Sequence, residues 1–402
     1  MRILTINTGS SSIKYKLFDM RGPKLLVAGM VERIGEARGR LEWQAWNNGS
    51  EQSETRAEVV PDHAVGLARV GEALTDSGVL EDLRALDGIG HRVVHGGERF
   101  REPTLIDDNV VSAIQQQIPL APLHNPANLA GIEVARRACP EVPQVAVFDT
   151  AFHQSLSPAA YLYAVPYAWY ERYGIRRYGF HGTSHEYVAG VAAEFLGRPL
   201  EELRLITLHL GNGASAAAIS RGRCQDTSMG LTPLEGLMMG TRCGDIDAAI
   251  VPYLADRAGM SLEEIDVALN RESGLLGICG ENDMRSVLKR AESGDPKAQL
   301  AVEMYALRIK KYIGAYLAVL GGADAIVFTA GVGEHAAAIR ALACAGLESL
   351  GIRLDEDKNQ TSSASGAYSI HAEESRVQIL VVPTDEELAI ARLTQRCVAD
   401  NR

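Results

Sequence analysis

The sequence predicts an α/β protein with two domains. A chain of 402 residues is longer than one typical hydrophobic core organises, so two domains are expected. Short apolar runs alternate with longer segments of helical period, as they do in α/β proteins. A strand–turn–strand pattern near the N-terminus also returns after residue 200, which suggests that a β-hairpin core is duplicated, one copy in each domain.

The first copy consists of an apolar run, a polar Gly/Ser turn and an alternating run. These are residues 3–6, 7–12 and 13–18. The second copy has the same order at residues 203–210, 211–215 and 216–220, and a further strand follows Arg223. Taken alone, the first turn is equally consistent with a plain tight hairpin. The second Gly/Asn/Ser turn favours a phosphate-binding function for both.

Helical character is predicted over residues 106–119, 127–138, 185–196 and 246–258, and most clearly over 296–320. One face of that long helix is predicted to carry Leu300, Met304, Leu307, Ile313, Leu317 and Leu320. A buried strand then ends in the glycine-rich segment 330–335, where the next helix starts, a geometry that presents N–H groups to phosphate. After another strand, Thr384 and Glu387 predict a capping box for the last helix.

Composition restricts the function classes. The net charge of −11 and the pI near 5.5 argue against nucleic acid or an anionic membrane surface as a partner. Small anions remain acceptable if positive charge is concentrated locally. The six cysteines form no CxxC pair, so free thiols in a reducing cytoplasm are expected. No apolar window spans a membrane, and the N-terminus reads as a strand, so we expect a soluble cytoplasmic protein.

Two arginines stand in glycine-rich polar clusters, Arg92 within residues 90–97 and Arg242 within residues 240–247. Glycine admits close backbone approach, and arginine supplies fixed positive charge. The pattern predicts a site that holds two anions together, as phosphoryl transfer requires. Structural salt bridges are the alternative for the arginines, and hydrogen-bonded core positions are the alternative for His124 and His181. Asp149 follows an apolar strand, at the end where α/β sites usually lie.

Several nucleotide and catalytic motifs are missing from the sequence. No GxxxxGK[ST] segment occurs, which excludes a P-loop, and no GxGxxG follows the first strand. The zinc-protease and nucleophile-elbow motifs are absent as well.

Read together, the motifs resemble those of the acetate kinase family, within the superfamily of sugar kinases, actin and heat-shock ATPases. The resemblance runs nearly end to end and rests on INTGSSSIK, HRVVHGG, LHNPAN, VFDTAFH, RRYGFHGTSH, HLGNGAS, DTSMG, TPLEG, MGTRCGDID and the terminal TDEE. Three positions depart from the family pattern. Cys243 replaces a serine, His335 replaces an asparagine, and Met284 replaces an aromatic residue. The last two bear on packing around the nucleotide base.

The resemblance implies an α/β fold with two domains of duplicated ribonuclease H-like, actin-like ATPase topology around a central cleft. The acceptor-side domain would comprise residues 1–150 and 384–402, and the nucleotide-binding domain residues 151–383. It also implies a homodimer, ATP or ADP as co-substrate, and Mg²⁺, for which Mn²⁺ could substitute.

The resemblance further implies a role for individual residues. The catalytic set would be Arg92, His124, Asp149, His181, Asn212 and Arg242. Substrate would contact Arg92, Val94, Leu123, Phe180 and Pro233, the last four forming an apolar pocket. ATP would contact Lys14, His209, Gly211, Asn212, Gly213, Asp283, Met284, Arg285, Gly331, Val332 and Gly333, with Ser10 and Ser12 supporting the first turn. Asn7 and Glu386, with Asp149, would order the metal, mostly through water.

The implied reaction is direct, reversible transfer of the γ-phosphoryl group of ATP to acetate. A propionate or butyrate kinase, a non-catalytic actin-like nucleotide sensor and a sugar kinase are the alternatives. Val94 favours acetate, because relatives that prefer propionate tend to have a smaller residue there. The apolar pocket argues against a sugar, and the retained Arg92, His181 and Arg242 argue against a sensor.

Overall fold

The computed structural model describes residues 1–47, 50–122, 124–361 and 366–401. The strands are β1 Arg2–Thr8, β2 Ser12–Asp19, β3 Lys24–Glu32, β4 Gly39–Asn47, β5 Ser50–Glu58, β6 Gly88–Val93, β7 Thr104–Leu105, β8 Gln144–Phe148, β9 Arg204–Leu210, β10 Ala214–Ser220, β11 Arg223–Thr227, β12 Ala325–Thr329, β13 Tyr368–Ser369 and β14 Gln378–Val381. The helices are α1 His63–Asp76, α2 Asp108–Gln116, α3 Asn125–Ala138, α4 Pro158–Tyr161, α5 Tyr167–Tyr173, α6 Gly182–Leu196, α7 Ile250–Arg257, α8 Leu262–Arg271, α9 Gly274–Cys279, α10 Met284–Glu292, α11 Pro296–Leu320, α12 Ala330–His335, α13 Ala337–Cys344, α14 Glu356–Gln360 and α15 Glu386–Asp400.

The chain divides into two compact units. Unit 1 comprises Met1–Ala151 and Asp385–Arg402, and unit 2 comprises Phe152–Thr384. Each unit is built on one sheet of mixed strand direction.

The sheet of unit 1 has the strand order β5-β4-β3-β2-β1-β6-β8-β7. Strands β1 to β5 form an antiparallel meander, and β1, β6 and β8 run parallel to one another. The short strand β7 closes the sheet antiparallel to β8. The parallel strands are joined through helices, as parallel connections require.

The sheet of unit 2 repeats this plan in the order β11-β10-β9-β12-β14-β13. Strands β9, β10 and β11 form the antiparallel meander, and β9, β12 and β14 are parallel. Strand β13 closes the edge antiparallel to β14, as β7 does beside β8. The duplicated hairpin predicted from the sequence is therefore one part of a duplicated six-strand topology, and the predicted α/β fold class is confirmed.

Parallel strands align their carboxyl ends at one edge of each sheet, and ligands bind at that edge in open α/β sheets. In unit 1, the register pairs Ile6 of β1 with His91 of β6, and Val93 of β6 with Phe148 of β8. In unit 2, His209 near the end of β9 pairs with Thr329 at the end of β12. Each sheet thus delivers its polar and glycine-rich turns to a single edge.

Both faces of the unit 1 sheet are covered, because alternate side chains of a strand point to opposite faces. Leu4 and Ile6 of β1 lie in the core cluster that contains residues of α1 and α3. Ile3 lies in a different cluster with Ala391 of α15. The C-terminal helix therefore packs on the sheet face opposite α1 and α3.

The boundaries of most predicted helices hold to within a few residues, but the predicted face of α11 is only partly right. Ile313 and Leu320 are buried as predicted, whereas Leu300 and Leu307 are exposed. Tyr305, Ile309 and Tyr316 are buried in addition. The prediction relied on the positions of the leucines. It left out the tyrosines and alanines, which also recur at helical spacing. The helix predicted from residue 246 begins only at Ile250, and residues 246–249 stay outside it.

The predicted capping box at the last helix is also wrong. The N-cap of α15 is Asp385, whose carboxylate accepts from the backbone N–H of Leu388. Thr384 instead places its hydroxyl 3.1 Å from Ser184 Oγ, and Glu387 forms an ion pair with Lys16 Nζ at 3.2 Å. Aspartate and threonine are both good N-caps, so the sequence alone does not decide between neighbours.

None of the helices in the described ranges combines the length and apolar character that a membrane span requires. All six cysteines are free.

The packing of α15 on β6 predicts a steric effect at Gly90. A Cβ atom there would lie 2.2 Å from Thr394 Oγ1 and 2.7 Å from Ile390 Cγ2. We expect Gly90→Ala to lower the free energy of unfolding by about 1–3 kcal/mol, because the helix must shift away from the sheet. Denaturant unfolding measures this.

Gly22→Ala is the matched control in the same unit, since a Cβ there meets nothing within 4 Å. Equal stability of the Gly90→Ala protein and this control would contradict the described packing of α15.

Candidate active site

Arg92 and Asp149 form a buried ion pair at the carboxyl edge of the unit 1 sheet. Arg92 lies on β6, and Asp149 directly follows β8. Nε and Nη2 of Arg92 donate to the two carboxylate oxygens of Asp149 at 3.0 and 2.6 Å. Asp149 is 1 % exposed. The structural salt bridge considered for Arg92 is thus present, and it uses one edge of the guanidinium group.

Asn7 and Glu386 complete the polar cluster around Arg92. Nη1 of Arg92 donates to Asn7 Oδ1 at 3.4 Å, and Glu386 Oε2 lies 3.9 Å from Arg92 Nε. Asn7 comes from β1 and Glu386 from the start of α15. The structure therefore brings together the three residues assigned to the metal, all within unit 1.

Arg92 compensates only part of the cost of burying the negative charges of Asp149 and Glu386. Burial raises the pKa of Asp149, and the Arg92 guanidinium offsets only part of that shift. Burial also raises the pKa of Glu386, against the effect of Arg92 and with the help of neighbouring Glu387. Burial lowers the pKa of Arg92, but Asp149 and Glu386 more than compensate, so its pKa is raised. A further cation would stabilise both carboxylates in their charged form.

Two buried asparagines, which the sequence analysis did not single out, hold this edge together. Asn128 Oδ1 accepts from the N–H of Val94, and its Nδ2 donates to Thr8 O at 2.7 Å. Asn125 accepts from the N–H of His95 and donates to its carbonyl oxygen. Both belong to the LHNPAN segment, whose two asparagines three residues apart were the available signal. They fasten α3 to the ends of β1 and β6.

Lys16 anchors the first turn of α15. Its Nζ lies 3.0 Å from Asp385 Oδ1 and 3.2 Å from Glu387 Oε2, the two neighbours of Glu386. Because the flanking residues are tied to β2, the position of Glu386 beside Arg92 is fixed by the sheet. Lys16 was also missed in the sequence, since its partners lie about 370 residues away.

The other predicted site residues of unit 1 differ in how far they are buried. His124 is the N-cap residue of α3, and its charge contributes to lowering the pKa of Asp149. Val94 is 6 % exposed, whereas Lys14 is exposed on β2. Leu123 lies outside the described residues.

In unit 2, His181 occupies a conformation that non-glycine residues seldom adopt. It is the N-cap of α6 with φ of 57°, in the left-handed region. Gly179 just before it also has positive φ, and a Cβ there would lie 2.7 Å from the ring of His153. His153 Nε2 donates to Phe180 O at 2.9 Å. Gly179 and His153 therefore fix the path of the backbone that leads into His181 and α6.

Arg242 has no carboxylate partner among the described residues. Its Nη1 donates to Pro233 O at 3.2 Å and approaches Met239 Sδ at 3.8 Å. Within the described ranges it makes no ion pair, unlike Arg92. Burial alone lowers the pKa of Arg242. A partly buried cation without a counter-ion is a feature expected at an anion site, because desolvated charge is costly unless it is paired.

The Gly211–Asn212–Gly213 turn lies close to both His181 and Arg242. A Cβ at Gly213 would lie 3.5 Å from Nε2 of His181 and 3.6 Å from Nη1 of Arg242. The peptide N–H of Gly240 donates to Asn212 O at 3.0 Å, and a Cβ at Gly240 would clash with Asn212 Oδ1. The structure thus brings His181 and Arg242 close to Gly213, beside Asn212.

His209 at the end of β9 stacks on His181 with ring centroids 4.2 Å apart. Its Nδ1 lies 2.8 Å from Ser184 Oγ. Phe180 is 2 % exposed, and Pro233 is partly buried and contributes its carbonyl oxygen to Arg242. Pro233 therefore contacts Arg242 through its backbone, whereas the backbone of Phe180 contacts His153.

The residues assigned to adenosine lie on two helix starts. Asp283 is the N-cap of α10 and forms an ion pair with the exposed Arg285 at 2.6 Å, while Met284 is 5 % exposed. Helix α12 begins directly after β12, so Gly331, Val332 and Gly333 lie inside its first turns and no separate loop precedes it. A Cβ at Gly331 would meet nothing within 4 Å.

The oxygen donors of unit 1 fit Mg²⁺ better than a soft metal. Among the described residues, no group of three His, Cys, Asp or Glu side chains is arranged to hold a metal. Two carboxylates and an amide oxygen, with water completing the shell, are the ligands that Mg²⁺ takes in phosphotransfer sites. Asp149, Glu386 and Asn7 fit that donor set.

Comparison with known proteins identifies the family. The model of the acetokinase family matches residues 2–392. The chain belongs to the acetokinase family. A protein of Helicobacter pylori (strain Shi470) named acetate kinase is 55 % identical over 391 residues, covering 97 % of each chain. The resemblance inferred from the motifs is confirmed.

Solved structures of family members share the fold. The crystal structure of Porphyromonas gingivalis acetate kinase has a TM-score of 0.92 at 42 % identity, with 99 % of both chains covered. That of a propionate kinase from Francisella tularensis subsp. tularensis SCHU S4 has a TM-score of 0.91 at 42 % identity, covering 98 % of this chain and 99 % of that one. The fold is therefore common to proteins with both names.

The raised pKa of Glu386 has a consequence for stability. A carboxyl whose pKa is higher in the folded state binds more protons there, so it reduces stability as the pH rises above its unfolded value near 4.5. We expect Glu386→Gln to raise the free energy of unfolding at pH 7 by about 1 kcal/mol. The gain should shrink as the pH falls toward 4.5.

Denaturant unfolding at several pH values measures the effect, with Glu36→Gln, an exposed position of the same unit, as the control. If the Glu386→Gln protein is less stable than wild type at pH 7, neighbouring cations fully compensate the negative charge of Glu386, and the expectation is contradicted.

Proposed function

We propose that this chain is an acetate kinase. It transfers the γ-phosphoryl group of ATP reversibly to acetate and forms acetyl phosphate and ADP. Membership of the acetokinase family supports this, as do relatives 52–55 % identical that are named acetate kinase. The observation that carries the chemistry is Arg242, a partly buried cation without a carboxylate partner in the described chain, beside His181 and the Gly213 turn.

The chemical obstacle is electrostatic. A carboxylic acid of this kind is already ionised at pH 7, so the acceptor needs no general base. It must instead approach a triphosphate of like charge, and two such charges 4 Å apart repel by about 4 kcal/mol at an effective dielectric constant near 20. Fixed cationic donors offset this repulsion and stabilise the charge on the phosphoryl oxygens in the transition state.

We assign the phosphoryl group to the unit 2 cluster. The proximity of His181 and Arg242 to Gly213, which directly follows Asn212, supports this assignment. Arg242 keeps Nε and Nη2 for an anion, since its described hydrogen bonds use Nη1. His209, Gly211 and Gly213 shape the same turn, and Asp283, Met284, Arg285, Gly331, Val332 and Gly333 remain assigned to adenosine.

We also assign to Arg92 the binding of the acceptor carboxylate and of the transferring phosphoryl group. Asp149 holds the Nε–Nη2 edge of its guanidinium group, and the group has five N–H donors. Nη1 also donates to Asn7 Oδ1, so one N–H of Nη1 and one N–H of Nη2 remain able to donate to an anion while the ion pair sets the direction of the group. His124 lies near Asp149 and would line the phosphoryl position.

Asn7, Asp149 and Glu386 would hold Mg²⁺, or Mn²⁺ in its place, mostly through water. Bound Mg²⁺ supplies charge neutralisation to the phosphate oxygens. Lys16 keeps Glu386 in place, and Arg92 prevents Asp149 from being left as an unpaired buried charge. Lys14 would contact the nucleotide from the first turn.

We further propose that the protein acts as a homodimer in the cytoplasm and transfers the phosphoryl group directly, without a covalent carrier. A sugar kinase would need a base to deprotonate a hydroxyl group. Asp149 is poorly suited to that task, because both of its oxygens already accept hydrogen bonds from Arg92.

A hydroxamate assay tests the proposal. The protein is incubated with ATP, Mg²⁺ and hydroxylamine, and with acetate, propionate, butyrate or glucose. Acyl hydroxamate should form most rapidly with acetate, since only an acyl phosphate is trapped. A higher kcat/KM with propionate would make the chain a propionate kinase, and no hydroxamate with any acid would refute the proposal.

Replacement of Arg242 tests its assigned role. We expect Arg242→Ala to lose about 3–4 kcal/mol of transition-state stabilisation, seen mainly in kcat, because its charge is most needed when phosphoryl oxygens gain charge. Arg204→Ala, which removes an exposed arginine paired with Asp324, is the control. An unchanged kcat in Arg242→Ala would remove the residue from catalysis.

Val94 is expected to limit acyl chain length. Replacing it by alanine removes two methyl groups from a side chain that is 6 % exposed. We expect Val94→Ala to raise kcat/KM for propionate relative to acetate by about 10-fold or more, since one methylene in an apolar pocket is worth about 1–3 kcal/mol. A constant ratio would place Val94 away from the acyl group.

A further inference from the structure

A chain of four side chains leads from the core of unit 2 to His181. Thr207 Oγ1 lies 2.7 Å from His185 Nδ1, and His185 Nε2 lies 2.8 Å from Ser215 Oγ. The same Ser215 Oγ lies 2.9 Å from His181 Nδ1. Thr207, His185 and Ser215 are all fully buried. Neither the motifs nor the proposed function assigns a role to any of these three residues.

Each member of the chain restricts the next, because a neutral imidazole has one donor nitrogen and one acceptor nitrogen. His185 is neutral, since burial lowers its pKa well below the ordinary value and nearby His153 and His209 add to this. Ser215 has one hydrogen and can donate to only one of its two histidine partners. If both histidines donated to Ser215, its own buried hydrogen would have no acceptor among the described residues. The hydrogens of the chain therefore point in one of two concerted directions.

In the first direction, Thr207 donates to His185 Nδ1, and His185 Nε2–H donates to Ser215. Ser215 then donates to His181 Nδ1, which leaves the hydrogen of a neutral His181 on Nε2. In the opposite direction, His181 Nδ1–H donates to Ser215, and the last donor is His185 Nδ1–H, which points at Thr207. His181 Nε2 is then a bare lone pair.

Thr207 decides between the two directions. Its hydroxyl is buried in β9 and has no hydrogen-bonding partner other than His185 among residues 1–47, 50–122, 124–361 and 366–401. In the opposite direction, this O–H hydrogen would have no acceptor, and an unsatisfied buried donor is costly. The first direction gives the hydrogens of Thr207, His185 and Ser215 an acceptor each, so it should be favoured by about 10-fold or more.

We propose that Thr207, His185 and Ser215 form a tautomer lock that keeps His181 as a neutral imidazole with its hydrogen on Nε2. Nε2 and Cε1 of the His181 ring each lie 3.5 Å from the position of a Cβ at Gly213, and Nη1 of Arg242 lies 3.6 Å from the same position. The lock makes His181 a hydrogen-bond donor at that position without adding a second full charge beside Arg242. Thr207, His185 and Ser215 are positioning residues, since they act through His181.

The consequence for catalysis rests on the proposed function. Direct transfer to an ionised carboxylate moves no proton, so His181 has to donate a hydrogen bond to a phosphoryl oxygen rather than abstract a proton. A lone pair at Nε2 would repel that oxygen. The lock therefore matches the demand of the reaction, and it also accounts for two buried hydroxyl groups and a buried histidine beside the turn.

Neutron diffraction on the deuterium-exchanged protein, at a pD where His181 is neutral, tests the lock directly. We expect deuterium on Nε2 of His181, on Nε2 of His185 and between Ser215 Oγ and His181 Nδ1. Deuterium on Nδ1 of His181 would overturn the proposal. The result does not depend on turnover, so it is distinguishable from a failure of the proposed function in the hydroxamate assay.

Two matched variants test the role of Thr207. Thr207→Val keeps the volume but removes the donor, so the bias is lost and both His181 nitrogens should carry partial deuterium. The kcat should fall about twofold, because half of the molecules then hold the wrong tautomer. Thr207→Ser retains the donor and should restore deuterium to Nε2. If Thr207→Val leaves all deuterium on Nε2, Thr207 does not direct the chain and the lock is refuted.

Discussion

The compensation of buried positive charge is the constraint on which the candidate residues of each unit depend. A guanidinium group that leaves water needs compensating partners, and the candidate arginine of unit 1 and that of unit 2 meet this demand differently. Arg92 is paired through one edge with Asp149, at 3.0 and 2.6 Å. Arg242 donates only to a carbonyl oxygen and a thioether sulfur among the described residues. Unit 2 therefore holds a cation that an anionic ligand would stabilise, whereas unit 1 holds carboxylates that a metal cation would stabilise.

The fold explains how a small number of residues holds the charged side chains in fixed positions. Each unit aligns parallel strands so that their ends meet at one sheet edge, and each edge is then fastened by buried hydrogen bonds. In unit 1, Asn125 and Asn128 fasten α3 to the strand ends, and Lys16 fastens the start of α15. In unit 2, the left-handed backbone of His181 turns its ring toward the glycine turn. Rigid supports of this kind hold charged groups in place before the substrate arrives.

Much of this was predictable from the sequence, for identifiable reasons. Strands β1, β2, β9 and β10 follow from short apolar runs around Gly/Ser turns, and their repetition indicated the duplication. Site residues such as Arg92, Asp149 and Arg242 stood out because their neighbours are glycines and strand ends. These signals are local, so a single sequence contains them.

The features that were missed depend on partners distant in sequence. The capping box failed because Glu387 pairs with Lys16, and Asp385 takes the N-cap instead. The buried face of α11 was misassigned in part because Tyr305 and Tyr316 pack inward while Leu300 and Leu307 do not. The chain from Thr207 to His181 joins residues of β9, α6 and β10, and no spacing in the sequence reveals it. Tertiary packing decides such cases, and local patterns do not record it.

In the proposed function, cationic groups bring two oxyanions into line for one direct displacement at phosphorus. The stereochemical course of the reaction tests this most directly, with ATP made chiral at the γ-phosphorus by oxygen isotopes and sulfur. A single in-line transfer to acetate predicts inversion of configuration at phosphorus. Retention would require two displacements through a phosphorylated residue, and it would contradict the account.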